Sequence, residues 1–126
     1  LFIDNALFAD DELTGIIDFY HACEDYLIID VAIACNDWCY WNGTGYQSAL
    51  MSALIDGYQQ RRPLLLAEKQ LWSDALGYAA LRFWVSRLIS KYTQTYQSAA
   101  VRGHVYKNPD EMKQKLVEAA GILPLK

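Results

Sequence analysis

Two oxygen-bearing side chains near the N-terminus, Asn5 and Asp18, stand at equal distance from a polar connector. The runs Asn5 to Phe8 and Leu13 to Phe19 flank Ala9-Asp10-Asp11-Glu12, a pattern that predicts an antiparallel hairpin centred between Asp11 and Glu12. Cross-strand partners lie about 5 Å apart, so an amide oxygen and a carboxylate would meet at the open end. These are hard ligands suited to Mg²⁺, which takes one or two carboxylates and leaves substrate phosphates to complete its octahedron. The pair would make half of a phosphoryl-transfer site. The plainer alternative is that Asn5 caps a turn and Asp18 caps the segment that follows.

Helices must carry the rest. From about Asp25, YLIIDVAIACNDWCYW places Leu27, Ile28, Val31, Ala32, Cys35 and Trp38 at intervals of three and four, which predicts a largely buried helix ending at Asn42-Gly43. A second helix is predicted over Tyr46 to Gln60, closed by Arg61, Arg62 and Pro63. The longest should run from about Ala67 to Tyr92 with a wide apolar stripe, its Trp72, Phe83 and Trp84 read as core. Thr93 to Lys107 reads as a loop or frayed extension. Asn108-Pro109-Asp110-Glu111 then gives an N-cap, a proline at the first helical position and an acid in the first turn, and the last helix should stop at Gly121.

Composition narrows the possibilities. With 126 residues, 53% hydrophobic and 21% charged, the chain is one globular domain's worth and not a disordered one. A net charge of -4 with scattered basic residues gives no basis for nucleic-acid binding, and no stretch suits a membrane span. His21, Cys23, Cys35 and Cys39 lack paired zinc-ligand spacing and read as thiols of a reducing cytosol, so a cytoplasmic location is expected. Gly43-Thr44-Gly45 reads as a helix connector, since no lysine follows at the offset of a phosphate loop. The chain opens on Leu1 in LFIDNALF without a leader pattern, which suggests a processed chain or a piece of a longer one.

LFIDN, a hairpin, IIDFYHACEDY and IDVAIA together resemble the aminoglycoside phosphotransferase-like kinases. With CNDWCYW and ALRFWVSRL added, the resemblance is to the bacterial homoserine kinases of that fold, and it runs to the closing PDEMKQKL. The family's catalytic loop, H-x-D-L-F-x-D-N, is matched in its last five positions by Leu1-Phe2-Ile3-Asp4-Asn5. The resemblance implies a mainly α chain with a short N-terminal β-hairpin, the C-terminal lobe of a protein-kinase-like fold. Residues 1–126 would be one domain, with a metal-site hairpin at 1–19 and a helical subdomain at 25–126, and the general-base Asp and the ATP-binding lobe would precede Leu1.

It further implies that Asn5 and Asp18 hold the Mg²⁺ bridging the phosphates of ATP, and that Asp30 is a buried support residue accepting hydrogen bonds from catalytic-loop backbone. Arg82 and Arg87 are candidates for the carboxylate of L-homoserine, because a guanidinium fork matches a carboxylate, although arginines on long helices often pair or snorkel instead. Glu24 and Asp25 are candidates for the substrate ammonium, with capping as the other reading of Asp25. The implied reaction is ATP-dependent phosphorylation of homoserine in threonine biosynthesis, the chain by itself being inactive and its exposed apolar surface able to recruit a second copy as a homodimer. The rivals are kinases of the same fold acting on choline, an aminoglycoside or a methylthio-sugar, and a non-catalytic helical binding module.

Overall fold

The computed structural model describes residues 1–93 and 107–125, in which two small antiparallel ribbons accompany five helices. A 3-10 turn (Ile3–Asn5) leads into β1 (Ala6–Ala9) and β2 (Glu12–Ile16), and a second (Phe19–His21) precedes α1 (Leu27–Trp38). Then come β3 (Tyr40–Trp41), β4 (Gly45–Tyr46), α2 (Ser48–Gln59), α3 (Leu66–Gln70), α4 (Trp72–Tyr92) and α5 (Pro109–Ala119). The mainly helical chain with an N-terminal hairpin is as the sequence predicts. The predicted loop over Thr93 to Lys107 lies, beyond its two end residues, outside the described residues.

The first hairpin turns at Asp10-Asp11, whose φ angles of 49° and 65° make the two-residue turn that matches strand twist. Its centre is therefore one residue earlier than the spacing argument put it. Leu7 faces Gly15 but Phe8 faces Leu13, which leaves Thr14 as a bulge whose hydroxyl donates to the Leu7 carbonyl at 3.1 Å. Neither strand contains a buried residue.

Helix α1 buries Ile28, Val31, Ala32 and Cys35 of the face predicted for it and Trp38 in part, whereas Leu27, at the first turn, is exposed. It ends at Trp38 rather than Asn42, because Tyr40 and Trp41 leave the helix to pair with Tyr46 and Gly45. Gly43-Thr44-Gly45 is thus part of a hairpin turn, not a helix connector, with Gly43 and Gly45 at φ 90° and 74°. Tyr46 belongs to β4, so α2 starts two residues later than predicted.

The predicted long helix is broken at Leu71. The Lys69 carbonyl accepts from the backbone N–H of Leu125 at 3.1 Å, and the break leaves Leu71 exposed while Trp72 turns wholly inward. Helix α4 then packs against α1 on one side and α5 on the other, with Trp72, Leu76 and Ala79 meeting Cys35, Met51, Ile55 and Ala119 in the core. At the start of α5 the Asn108 side chain accepts from the Asp110 N–H at 3.0 Å, and Pro109 occupies the first turn as its sequence signature requires.

Polar ties fix how these helices meet. Buried Asn36 donates to the Leu76 carbonyl at 3.0 Å and accepts from the Tyr46 hydroxyl. The Tyr40 hydroxyl donates to Glu118 at 3.0 Å, and burial together with that carboxylate pushes the phenol up to about 12. Lys115 lies over the Tyr40 ring, 5.0 Å from its centre, and burial lowers the affinity of its amine for a proton.

Candidate functional site

The base of the hairpin, the segment after it, α1 and α4 enclose a cavity of about 650 Å³. Asn5, Asp18, Asp25, Asp30, Arg82 and Ser86 supply its polar lining, and Phe2, Ile33 and Phe83 are among its apolar walls. Asn5 and Asp18 do share a site, though not as direct cross-strand partners. The Ile17 N–H donates to the Asn5 carbonyl at 3.0 Å, so the bulge places Ile17 opposite Asn5 and Asp18 one step beyond.

Asp18 sits at φ 64° and ψ 59°, the left-handed region, where an L side chain costs about 1–2 kcal/mol. It makes no side-chain cap bond to the turn it precedes, so the capping alternative does not account for it. One carboxylate and one amide oxygen in an open cavity fit a cation that takes its other ligands from phosphate oxygens. Among the described residues no group of three or more His, Cys, Asp or Glu side chains gathers at one point.

The loop carrying Asn5 is held from several sides. The Leu1 nitrogen donates to Asp30 at 3.0 Å, the Ile3 N–H to Asp37 at 2.7 Å, and the Trp38 indole to the Leu1 carbonyl at 3.2 Å. From outside, Lys107 pairs with Asp4 at 2.6 Å, and Phe2 packs edge-on against Phe83 with ring centres 4.8 Å apart. Asp30 lacks the burial expected of it, since its side chain is 76% exposed and its partner is the ammonium of Leu1. Its apolar neighbours Ile29 and Val31 lie about 100° away around the helix and say nothing about its own face. Asp37 was missed: an acid in a helix's last turn reads as solvated, and no local pattern reveals a partner 34 residues away.

The two arginines separate. Arg82 lines the cavity. Nη1 of Arg87 donates to the Asn108 carbonyl at 2.7 Å and to Glu111 at 3.1 Å, which ties α4 to α5 away from the cavity. Glu24 is exposed and does not line the cavity, whereas Asp25 does while accepting from the Tyr26 N–H at 2.7 Å. Phe83, expected in the core, instead forms part of the cavity wall, while Trp72 is core as expected. Cys35 and Cys39 are buried free thiols whose mutual hydrogen bond, with burial, holds the Cys35 thiol well above its ordinary value.

The base of the hairpin thus brings Asn5 and Asp18 to the lining of one cavity walled by helices. The model of the phosphotransferase enzyme family matches residues 1–64, and the chain belongs to that family. Among curated relatives, the homoserine kinase of Methylobacillus flagellatus is 45% identical over 92 residues, 73% of this chain and 29% of the relative. The homoserine kinase of Pseudomonas aeruginosa strain PAO1 is 43% identical over 122 residues, 97% of this chain and 37% of the relative. That of Xanthobacter autotrophicus is 43% identical over 116 residues, 92% of this chain and 35% of the relative. The chain spans about a third of the length of the curated relatives it matches. No helix among the described residues is long and apolar enough to cross a membrane.

Proposed function

We propose that the protein carrying this chain is an ATP-dependent kinase that transfers the γ-phosphoryl group to the side-chain hydroxyl of L-homoserine. In this reading residues 1–126 are the C-terminal part of a protein-kinase-like catalytic lobe. Residues 1–19 carry the metal ligands and 25–126 form the helical subdomain that receives the acceptor. The observation that carries it is the common lining of one cavity by Asn5, Asp18 and Arg82.

Asn5 and Asp18 would hold Mg²⁺, which when bound neutralises the phosphate charge of ATP. Arg82 would grip the substrate carboxylate with its fork, and Asp25 would face the ammonium. The general base, and the lobe that anchors the nucleotide, would be supplied by residues before Leu1. The chain alone is then inactive, and catalysis by the whole protein rests on positioning and charge neutralisation.

The test is ADP release by the full-length protein with Mg²⁺ and ATP. L-homoserine is compared with its decarboxylated analogue, choline, an aminoglycoside and a methylthio-sugar. Turnover that requires homoserine and collapses with the decarboxylated analogue supports the reading. Better turnover with another acceptor moves the protein to a different substrate class of the same family. Absence of phosphoryl transfer to any acceptor, with Asn5 and Asp18 both replaceable without effect, would leave a helical binding module. Homoserine-dependent ADP release from residues 1–126 alone would overturn the assignment of the general base.

A further inference from the structure

We infer that Asp37 is a positioning residue for the metal site: by accepting the Ile3 N–H, its carboxylate sets the loop that presents Asn5. This rests on the metal reading proposed above for Asn5 and Asp18. The 2.7 Å bond from Ile3 to Asp37 is the shortest of the three that join Leu1–Ile3 to α1, and the one nearest Asn5 along the chain. An amide bound to a carboxylate is stronger than one bound to a neutral acceptor, so this tether outweighs the indole bond of the adjacent Trp38.

Position also argues for it. Asp37 is the second-last residue of α1, where the negative end of the helix dipole opposes a carboxylate. A helix without a task for that residue would be better served by a neutral or basic one. Asp30 and Asp37 lie seven residues apart, two turns along one face, and both accept from this loop. Asp30 is largely in water, whereas Asp37 is half-buried. The next turn of the chain after Ile3 ends at Asn5, whose N–H donates to the Phe2 carbonyl at 3.0 Å. A shift at Ile3 is thus passed to Asn5 through a single 3-10 turn.

The experiment uses the full-length protein with Mn²⁺ as the probe metal, titrated in the presence of ATP and followed by the loss of the free-Mn²⁺ electron paramagnetic signal. Amide hydrogen exchange of the peptide spanning residues 1–9 is read on the same samples. Asp37→Ala should weaken Mn²⁺ binding by about tenfold, speed exchange of that peptide and leave the homoserine KM in place. Asp37→Asn keeps an acceptor oxygen and should stay within about threefold of the parent in Mn²⁺ affinity. Trp38→Phe removes only the indole bond and gives a second variant if Asp37→Ala folds poorly; its effect should be in the same direction and smaller.

Asn5→Ala separates the two ways this can fail. If Asn5→Ala loses Mn²⁺ and Asp37→Ala does not, the metal reading stands and Asp37 has no positioning role. A larger loss in Asp37→Asn than in Asp37→Ala would also overturn the inference, because Asn keeps an acceptor for the Ile3 N–H that Ala lacks. If Asn5→Ala keeps full Mn²⁺ affinity, the metal reading itself fails and this inference falls with it.

Discussion

The N-terminal hairpin and the helical body are built on opposite principles. In the body, α4 is gripped by α1 and α5, and Trp72, Leu76, Cys35 and Met112 are almost entirely withdrawn from water. In the hairpin, Leu7, Phe8, Leu13, Ile16 and Ile17 are all about half exposed, and two aspartates at the turn have left-handed backbones. The hairpin is placed by polar bonds from the preceding loop to α1 and by two edge-on aromatic contacts, Phe2 on Phe83 and Phe8 on Trp38, not by a core of its own. An isolated two-stranded ribbon is marginal in water, so the body must supply its position. The proposed metal ligands thus lie where the chain is least self-sufficient, while the body supplies both the core and the acceptor side of the cavity.

The sharpest way to break this division is Asp18→Ala in the full-length protein. Turnover should fall by about 10²–10³-fold while the thermal midpoint stays within a few degrees or rises. Asp18→Gly should show the same kinetic loss with a higher midpoint, because glycine relieves the left-handed strain at this position. A large loss of stability with no kinetic defect beyond it would move Asp18 into the structural half of the comparison.

Leu76→Ala is the converse. Leu76 is fully buried between α1, α4 and α5, so its truncation should cost about 3 kcal/mol in urea unfolding. The folded fraction should keep its homoserine and ATP KM values. A shifted KM with unchanged unfolding would show that body and site are not separable.

The arginines test the boundary between the two regions. Arg82→Lys should raise the homoserine KM about tenfold, or about 1.4 kcal/mol, with the ATP KM unmoved. Arg87→Lys should instead lower stability by about 1 kcal/mol with both KM values unchanged, since its partners are Asn108 and Glu111. Reversal of the two phenotypes would return Arg87 to the acceptor site.

The smallest effect belongs to the body's surface. The Arg62 guanidinium makes two bonds to Glu68, at 2.9 and 3.1 Å, and with the Leu65 N–H holds the Glu68 carboxyl below the usual carboxylate range. A carboxyl with a lowered value in the folded state contributes stability that is present above its ordinary range and lost as pH falls through the lowered one. Glu68→Gln should therefore lower the thermal midpoint slightly near neutrality and converge with the parent in acid. Parallel curves down to strongly acid pH would show that the pair contributes nothing.

What could be read in the sequence follows the same division. The face of α1 was largely legible because burial imposes a period, and the Asn108-Pro109 start because capping is local chemistry. The Leu71 break was not, since it depends on Leu125 arriving from the far end of the chain to take the Lys69 carbonyl. The β3–β4 ribbon had a usable signal in Asn42-Gly43, a hairpin dipeptide that served equally well as a helix stop. In the candidate site, residue type and rough symmetry paired Asn5 with Asp18, which line one cavity, but the Thr14 bulge that sets their relation carries no strong local mark. The separation of Arg82 from Arg87 was also invisible, because five residues on a helix is a rotation of about 140° and only the packing of α4 says which way each points.

The exposed ribbon carries a thermal consequence. Its bonds to α1 can open while the α1–α4–α5 core stays closed, but that core cannot melt without releasing them. On heating, the loop and hairpin should let go first and the helices several degrees later. Activity in the whole protein would vanish before its helical circular dichroism changes, and cooling from that interval would restore it without any need to refold the body.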